Sequence, residues 1–188
     1  MITIGIPSYG LITMECVISI VRAMAESPLA PNLHWVFNSS LYIDYNRNQL
    51  VDIAVQNGSS HLLFVDSDIQ FPPTGIEDLL ASNKDIIGGY YNTRRGNCPV
   101  RIKDADGRLV SPSPLPTEPF KCHVLPTGFM LIDMEVFDKL HKPYFAVLTH
   151  ANGTIGEDVY FCKQATDAGL ELWCDPRIHL GHVGKHIY

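Results

Sequence analysis

The chain alternates between short apolar runs and stretches of helical period. Ile2 to Ile6 is an apolar run closed by Pro7-Ser8-Tyr9-Gly10, and it predicts a strand. A helix-period segment follows, with Cys16, Ile18, Ile20, Val21 and Met24 among its apolar positions, and it stops near Pro28 to Pro31. His34 to Phe37 reads as a second strand. Asp44 is placed to cap a second helix, which carries Leu50, Val51, Ile53, Ala54 and Val55 and ends at Asn57-Gly58. Leu62 to Val65 reads as a buried strand, Pro72-Pro73 opens a helix over about Gly75 to Ser82, and Asp85 to Gly89 is another strand. Strand and helix alternating in this way argue an α/β chain with a parallel sheet and helices on its faces.

The second half has a different rhythm. Val100 to Lys103 and Leu109-Val110 flank Asp106-Gly107, the pattern of a hairpin. Ser111 to Pro119 is proline-rich and without period, hence a loop. Phe120 to Leu125 and Phe129 to Ile132 are strand-like, Met134 to His141 is a short helix, and a last helix covers roughly Glu157 to Ala168 before Gly169. Strands near Leu170 to Cys174 and Ile178 to Leu180 complete the chain. With 188 residues and no internal repeat, a single domain is expected.

A net charge of −6 and scattered Lys and Arg residues argue against a general nucleic-acid binder, which needs a basic stripe to neutralise phosphates. No apolar run approaches the roughly 18 residues of a membrane span. The N-terminal residues lack the pattern of a signal peptide. Cys16, Cys98, Cys122, Cys162 and Cys174 show no CxxC spacing. Reduced thiols in a cytoplasmic protein are therefore expected, without a zinc knuckle or a disulfide framework.

The chemistry-bearing feature is Asp66-Ser67-Asp68, where the apolar strand runs out. Ligands of open α/β sheets bind at that end of the strands. Two acids so close repel each other, and a cation shared with an anionic ligand relieves the repulsion. The plainer alternative is a helix cap before Pro72-Pro73. At these residues the chain resembles the nucleotide-sugar-dependent glycosyltransferases of the GT-A fold, family 2-like or related, in a compact form. The resemblance covers nearly the whole chain, with several motifs in the family order. It implies a Rossmann-like, mostly parallel central sheet with a small antiparallel portion in the C-terminal half. Residues 1–90 would be the nucleotide-binding half and 91–188 the acceptor and catalytic half.

The resemblance also implies roles. Asp66 and Asp68 would hold a divalent ion, Mn²⁺ or Mg²⁺, on the donor diphosphate, with Ser67 between them at the nucleotide. Pro7, Ser8 and Tyr9 would wrap the base and ribose, Tyr9 by stacking; a plain strand-to-helix turn is the alternative. Arg47, in Tyr45-Asn46-Arg47-Asn48, would lie near the nucleotide and can pair with Asp66; a solvated Arg in the first turn of the helix is the alternative. Glu157 and Asp158 open the last helix, where the family carries an acidic pair, and in inverting members the acid deprotonates the acceptor hydroxyl. Acids also suit a helix N-terminus for its dipole alone. His182, in Gly181-His182-Val183-Gly184, resembles the late metal ligand, and Lys185 would meet the departing diphosphate. Gly128, in Pro126-Thr127-Gly128-Phe129, would let the backbone approach the donor sugar.

The activity implied is transfer of a sugar from a nucleoside-diphosphate sugar, UDP-linked by preference and GDP-linked as the other option, to a hydroxyl of a saccharide, lipid or protein. Two rivals differ in class. A nucleotide- or sugar-binding module on the same fold would keep Asp68 and His182 without turnover. A haloacid-dehalogenase phosphatase also has an Asp-x-Asp, but its nucleophile follows the first strand, and Gln70 stands where Thr or Val is required.

Overall fold

The computed structural model describes residues 1–93, 96–151 and 153–184. Its first half alternates as the apolar pattern requires: β1 (Ile2–Ser8), α1 (Met14–Glu26), β2 (Leu33–Ser39), α2 (Ile43–Gln56), β3 (His61–Val65), β4 (Ile69–Gln70), α3 (Gly75–Ala81) and β5 (Ile86–Tyr90). The second half adds β6 (Ile102–Lys103), β7 (Leu109–Val110), β8 (Phe120–Cys122), β9 (Phe129–Asp133), β10 (Leu148–His150), β11 (Gly153–Ile155), α4 (Glu157–Asp167), β12 (Leu172–His179) and β13 (Gly181–His182).

Seven strands form one sheet in the order β2-β1-β3-β9-β5-β12-β8. β1 is parallel to β2 and β3, and β5 is parallel to β12. β9 runs antiparallel to both β3 and β5, and β8 antiparallel to β12. Every strand except β8 and β9 therefore points the same way, a mostly parallel sheet whose antiparallel members come from the second half. The side chains of β3 explain its unbroken apolar run. Leu62 and Phe64 pack with Leu50, Val51, Phe161 and Ala165 of α2 and α4. Leu63 and Val65 pack with Ile20 and Ala23 of α1 and Leu79 of α3. Both faces of the sheet are covered, so both alternating sets of side chains must be apolar.

Local chemistry sets the helix ends. Thr13 caps α1, its hydroxyl accepting from the Cys16 amide at 3.3 Å. α2 stops at Asn57 and Gly58, the latter at φ +62°, a left-handed conformation natural to glycine. Several details differ from the sequence reading, the short strands β4, β10, β11 and β13 among them. Tyr42, not Asp44, is the N-cap of α2; Asp44 lies in the first turn, its carboxylate accepting from the Tyr45 and Val147 amides. Residues Met134–Lys139 form a 3₁₀ helix. The two expected terminal strands are one strand, β12, whose register with β5 shifts between Asp175 and His179. Ile18, Val21 and Met24 of α1 are exposed, because its core face is Cys16, Ser19, Ile20 and Ala23. The five cysteines are free. Among the described residues no helix is long and apolar enough to cross a membrane.

Candidate functional site

A cleft of ≈ 960 Å³ opens where β1 and β3 run out, between the N-terminal ends of α2 and α4. Pro7 and Tyr9 line it from the β1 turn, Arg47 from α2, Asp66, Ser67 and Asp68 from the end of β3, and Glu157 from α4. Leu11, Ile12, Ile43 and Val183 make much of the remaining wall apolar, with Thr13 and Gly184 beside them.

The acidic segment is held by its backbone. The Asp66 amide donates to the Gly128 carbonyl at 2.9 Å, extending the β3–β9 ladder by one residue. The Ile69 amide returns to the Asp66 carbonyl at 3.0 Å, closing a turn through Ser67 and Asp68. The Thr13 amide donates to the Ser67 carbonyl at 2.9 Å and ties the turn to α1. Past the turn, β4 pairs antiparallel with β13, placing His182 opposite Ile69, and the Val183 amide donates to the Asp68 carbonyl at 2.9 Å. Two backbone connections thus clamp the chain on either side of His182 and bring it to the acids.

The imidazole is oriented. Its Nδ1 lies 3.1 Å from the Asn92 carbonyl oxygen, an atom that can only accept, so Nδ1 carries the hydrogen. Tyr91 stands edge-on to the ring at 5.3 Å between centroids. Nε2 then faces Asp68 Oδ2 at 3.4 Å. In the neutral ring this opposes a lone pair to a carboxylate oxygen, an arrangement that only a proton on Nε2 or a cation makes favourable. A His nitrogen anchored to a backbone carbonyl through its other N–H is the usual setting of a metal-ligating imidazole. Asp68 and His182 together offer one carboxylate oxygen and one imidazole nitrogen, two donors and not a complete coordination set. Among the described residues, no three His, Cys, Asp or Glu side chains converge as a metal-holding group. What is assembled is the pair Asp68 and His182, with Asp66 engaged elsewhere.

Asp66 Oδ1 accepts from Arg47 Nη2 at 2.8 Å, the pairing the sequence suggested. The same guanidinium donates from Nε to Glu157 Oε1 at 3.2 Å. Arg47 is only 2% exposed, and its guanidinium lies 5.3 Å from the centre of the Phe64 ring. Burial works against its charge, but Asp66 and Glu157 outweigh burial and hold it firmly protonated. Nη1 is buried without a protein partner, a donor on a residue that lines the cleft. The neighbours of Arg47 do structural work. Asn46 donates to the Ser8 and Ser40 carbonyls, and Asn48 donates to the Asp44 and Phe145 carbonyls while accepting from the Tyr144 and Phe145 amides.

Asp158 stands behind Glu157 rather than among the cleft-lining residues, its Oδ1 accepting from the Val159 amide at 2.7 Å. Burial first, and then the charge of Glu157, push its carboxyl above the usual range. Ser8 also stays off the cleft wall: its hydroxyl donates to the Leu11 carbonyl and accepts from the Gly10 amide, which shapes the turn behind Tyr9. Gly128 sits behind Asp66, and its amide donates to the Tyr91 hydroxyl at 3.1 Å. A Cβ there would collide with Tyr91 Oη and press on Asp66 Oδ2, so the packing of Tyr91 alone demands glycine. Lys185 lies outside the described residues. Sequence reasoning missed Thr13, Ile43 and Asn92, since single loop or helix-start residues carry no periodic signal.

No protein-family profile and no curated protein sequence matches the chain. Solved structures do resemble it. A197 from STIV is similar with a TM-score of 0.70 and 19% identity, over 98% of this chain and 86% of that one. GalNAc-T7, solved with UDP, GalNAc and Mn²⁺, is similar with a TM-score of 0.61 and 12% identity; the match covers 98% of this chain but 43% of that one. The inositol-1-phosphate CTP transferase from T. maritima has a TM-score of 0.53 and 10% identity, over 97% of this chain and 88% of that one. At these identities the likeness establishes the fold, which is GT-A-like.

Proposed function

We propose that this chain is a metal-dependent glycosyltransferase that moves a sugar from a nucleoside-diphosphate sugar to an acceptor hydroxyl. The observation that carries the reading is His182 brought by β13 to face Asp68 at the mouth of a cleft floored by Asp66-Ser67-Asp68. A divalent ion, Mn²⁺ or Mg²⁺, would be held by Asp68 and His182 with Asp66 beside them, and would supply charge neutralisation to the donor diphosphate.

The remaining roles follow from position. Tyr9, 62% exposed at the cleft wall, offers a face to a base, with Pro7 and Ser67 beside the ribose. The unpartnered Nη1 of Arg47 donates to a donor oxygen. Gly128, through Tyr91 and Asp66, keeps the sugar side of the cleft in shape. Asp158, next to Glu157 at the start of α4 though not itself on the cleft wall, is the base for the acceptor hydroxyl: burial and the charge of Glu157 raise its proton affinity, and Glu157 fixes the start of its helix through Arg47. Lys185, just past the clamped tail, would meet the leaving diphosphate. The donor is a UDP-sugar by preference or a GDP-sugar, and the GalNAc-T7 likeness, with its UDP and Mn²⁺, supports the first. The acceptor is a saccharide, lipid or protein hydroxyl.

Release of free nucleoside diphosphate from a panel of nucleotide sugars, with Mn²⁺ and with chelator, tests the proposal. Metal-dependent release from at least one donor is expected. Tight nucleotide binding with no release from any donor would support a non-catalytic module, and rapid phosphate release from a simple monoester would support a phosphatase.

A further inference from the structure

We propose that the outer edge of β2 is a self-association surface, on which β2 of a second copy of this chain pairs antiparallel and joins the two sheets into one. β2 ends the sheet and has a neighbour, β1, on one side only. Alternate residues of such a strand turn their N–H and C=O groups outward, a template for another strand. The other edge of the sheet is protected in the usual ways. β8 is three residues long and carries Lys121 at its centre, held by Glu171 and lying over Trp173. β2 has seven residues, Leu-His-Trp-Val-Phe-Asn-Ser, with no proline and no charge to discourage pairing.

Charge and apolarity point to a like partner. The chain carries −6, so two copies repel over most of their surfaces, yet Ser27 to Ile43 contains no Asp, Glu, Lys or Arg. Among the described residues, the large apolar side chains left exposed come from the first 55 residues, apart from Leu109, Val110, Val147 and Ile155. Phe37 is 59% exposed on β2 itself, and Ile18 and Val21 are exposed on α1, which covers the same face of the sheet as Trp35.

The register is self-complementary. Full antiparallel overlap of Leu33–Ser39 with its own copy places the two-fold axis at Val36. Phe37 then lies opposite Trp35 of the second copy, twice over, and His34 lies opposite Asn38 on the other face. Aromatic cross-strand pairs are among the more stabilising ones, and no like charges meet. A strand from an unrelated protein would have no reason to match this symmetry.

Sedimentation velocity from about 1 to 100 µM chain, the range that resolves micromolar association, tests the proposal together with amide exchange at both limits. The expected result is a monomer–dimer equilibrium in which amides of Leu33–Ser39 exchange more slowly at high concentration. Phe37→Lys is expected to abolish the dimer and the added protection, with the melting temperature of the dilute, monomeric protein unchanged. If that variant is less stable, His34→Glu, exposed on the opposite face of the same strand, serves as the second probe. A wild-type monomer throughout, a dimer indifferent to these substitutions, or concentration-dependent protection confined to another element would overturn the proposal. The readouts need neither metal nor nucleotide, so they stand apart from the enzymatic reading.

Discussion

His182 Nε2 faces Asp68 Oδ2 across 3.4 Å, and backbone pairing rather than side-chain attraction brings the two together. Removing either side chain should leave β13 paired with β4 and the fold intact. In calorimetric titrations with a uridine diphosphate and Mn²⁺, Asp68→Ala and His182→Ala should each weaken metal-dependent affinity by about tenfold or more, or about 1.4 kcal/mol. Binding without metal should change less. Unchanged affinity with Mn²⁺ in both variants removes the metal assignment.

Arg47 holds two carboxylates from distant parts of the chain with one buried guanidinium. Arg47→Met leaves Asp66 and Glu157 without their shared partner, and loss of one member of a buried pair costs about 3–5 kcal/mol. The partly exposed acids recover some hydration, so urea denaturation should show a loss near the lower end of that range. Arg47→Lys should rescue little, since a single ammonium cannot reproduce the two-sided fork. Wild-type stability in Arg47→Met would show the pairing to be incidental.

Asp158→Asn should retain nucleotide binding and lose transfer. The acid limb of the rate profile tests its role further. Only the ionised carboxylate accepts a proton, and burial together with Glu157 raises its proton affinity, so activity should fall on the acid side at a pH above the ordinary carboxylate range. Glu157→Gln removes the neighbouring negative charge and frees Arg47 to act more strongly on Asp158. Both effects lower its proton affinity and move the acid limb to lower pH. A limb that stays in place in Glu157→Gln, or full transfer by Asp158→Asn, excludes Asp158 as the base.

Gly128→Ala drives a methyl group against Tyr91 Oη and Asp66 Oδ2. Overpacking of this kind costs about 1–3 kcal/mol. Tyr91→Phe removes the obstructing oxygen, so the double variant should be more stable than the sum of the single changes requires, a coupling readable in a thermal double-mutant cycle. Additive effects would show that the crowding at Gly128 lies elsewhere.

The strand–helix alternation of the first half, the apolar filling of both sheet faces and the acidic turn after β3 are local matters, and the sequence by itself determined them. A continuous apolar run means burial on two sides, a glycine after Asn57 ends a helix, and carboxylates directly after a buried strand must emerge at its end. Arg47 could be suspected as a partner for Asp66 only through the family resemblance, since a basic residue opening a helix is equally at home in solvent. Tertiary structure decided the rest. Placing β9 between β3 and β5 put Gly128 against Asp66 and Tyr91, so the need for glycine there arises from packing across the sheet. β4 and β13 are two residues each, too short for any periodic signal, yet their pairing carries His182 to Asp68. The shared grip of Arg47 on Asp66 and Glu157 likewise exists only once α2, β3 and α4 meet. Short-range pattern encodes which residues are buried; long-range backbone pairing selects which of them become neighbours, and that selection makes the cleft.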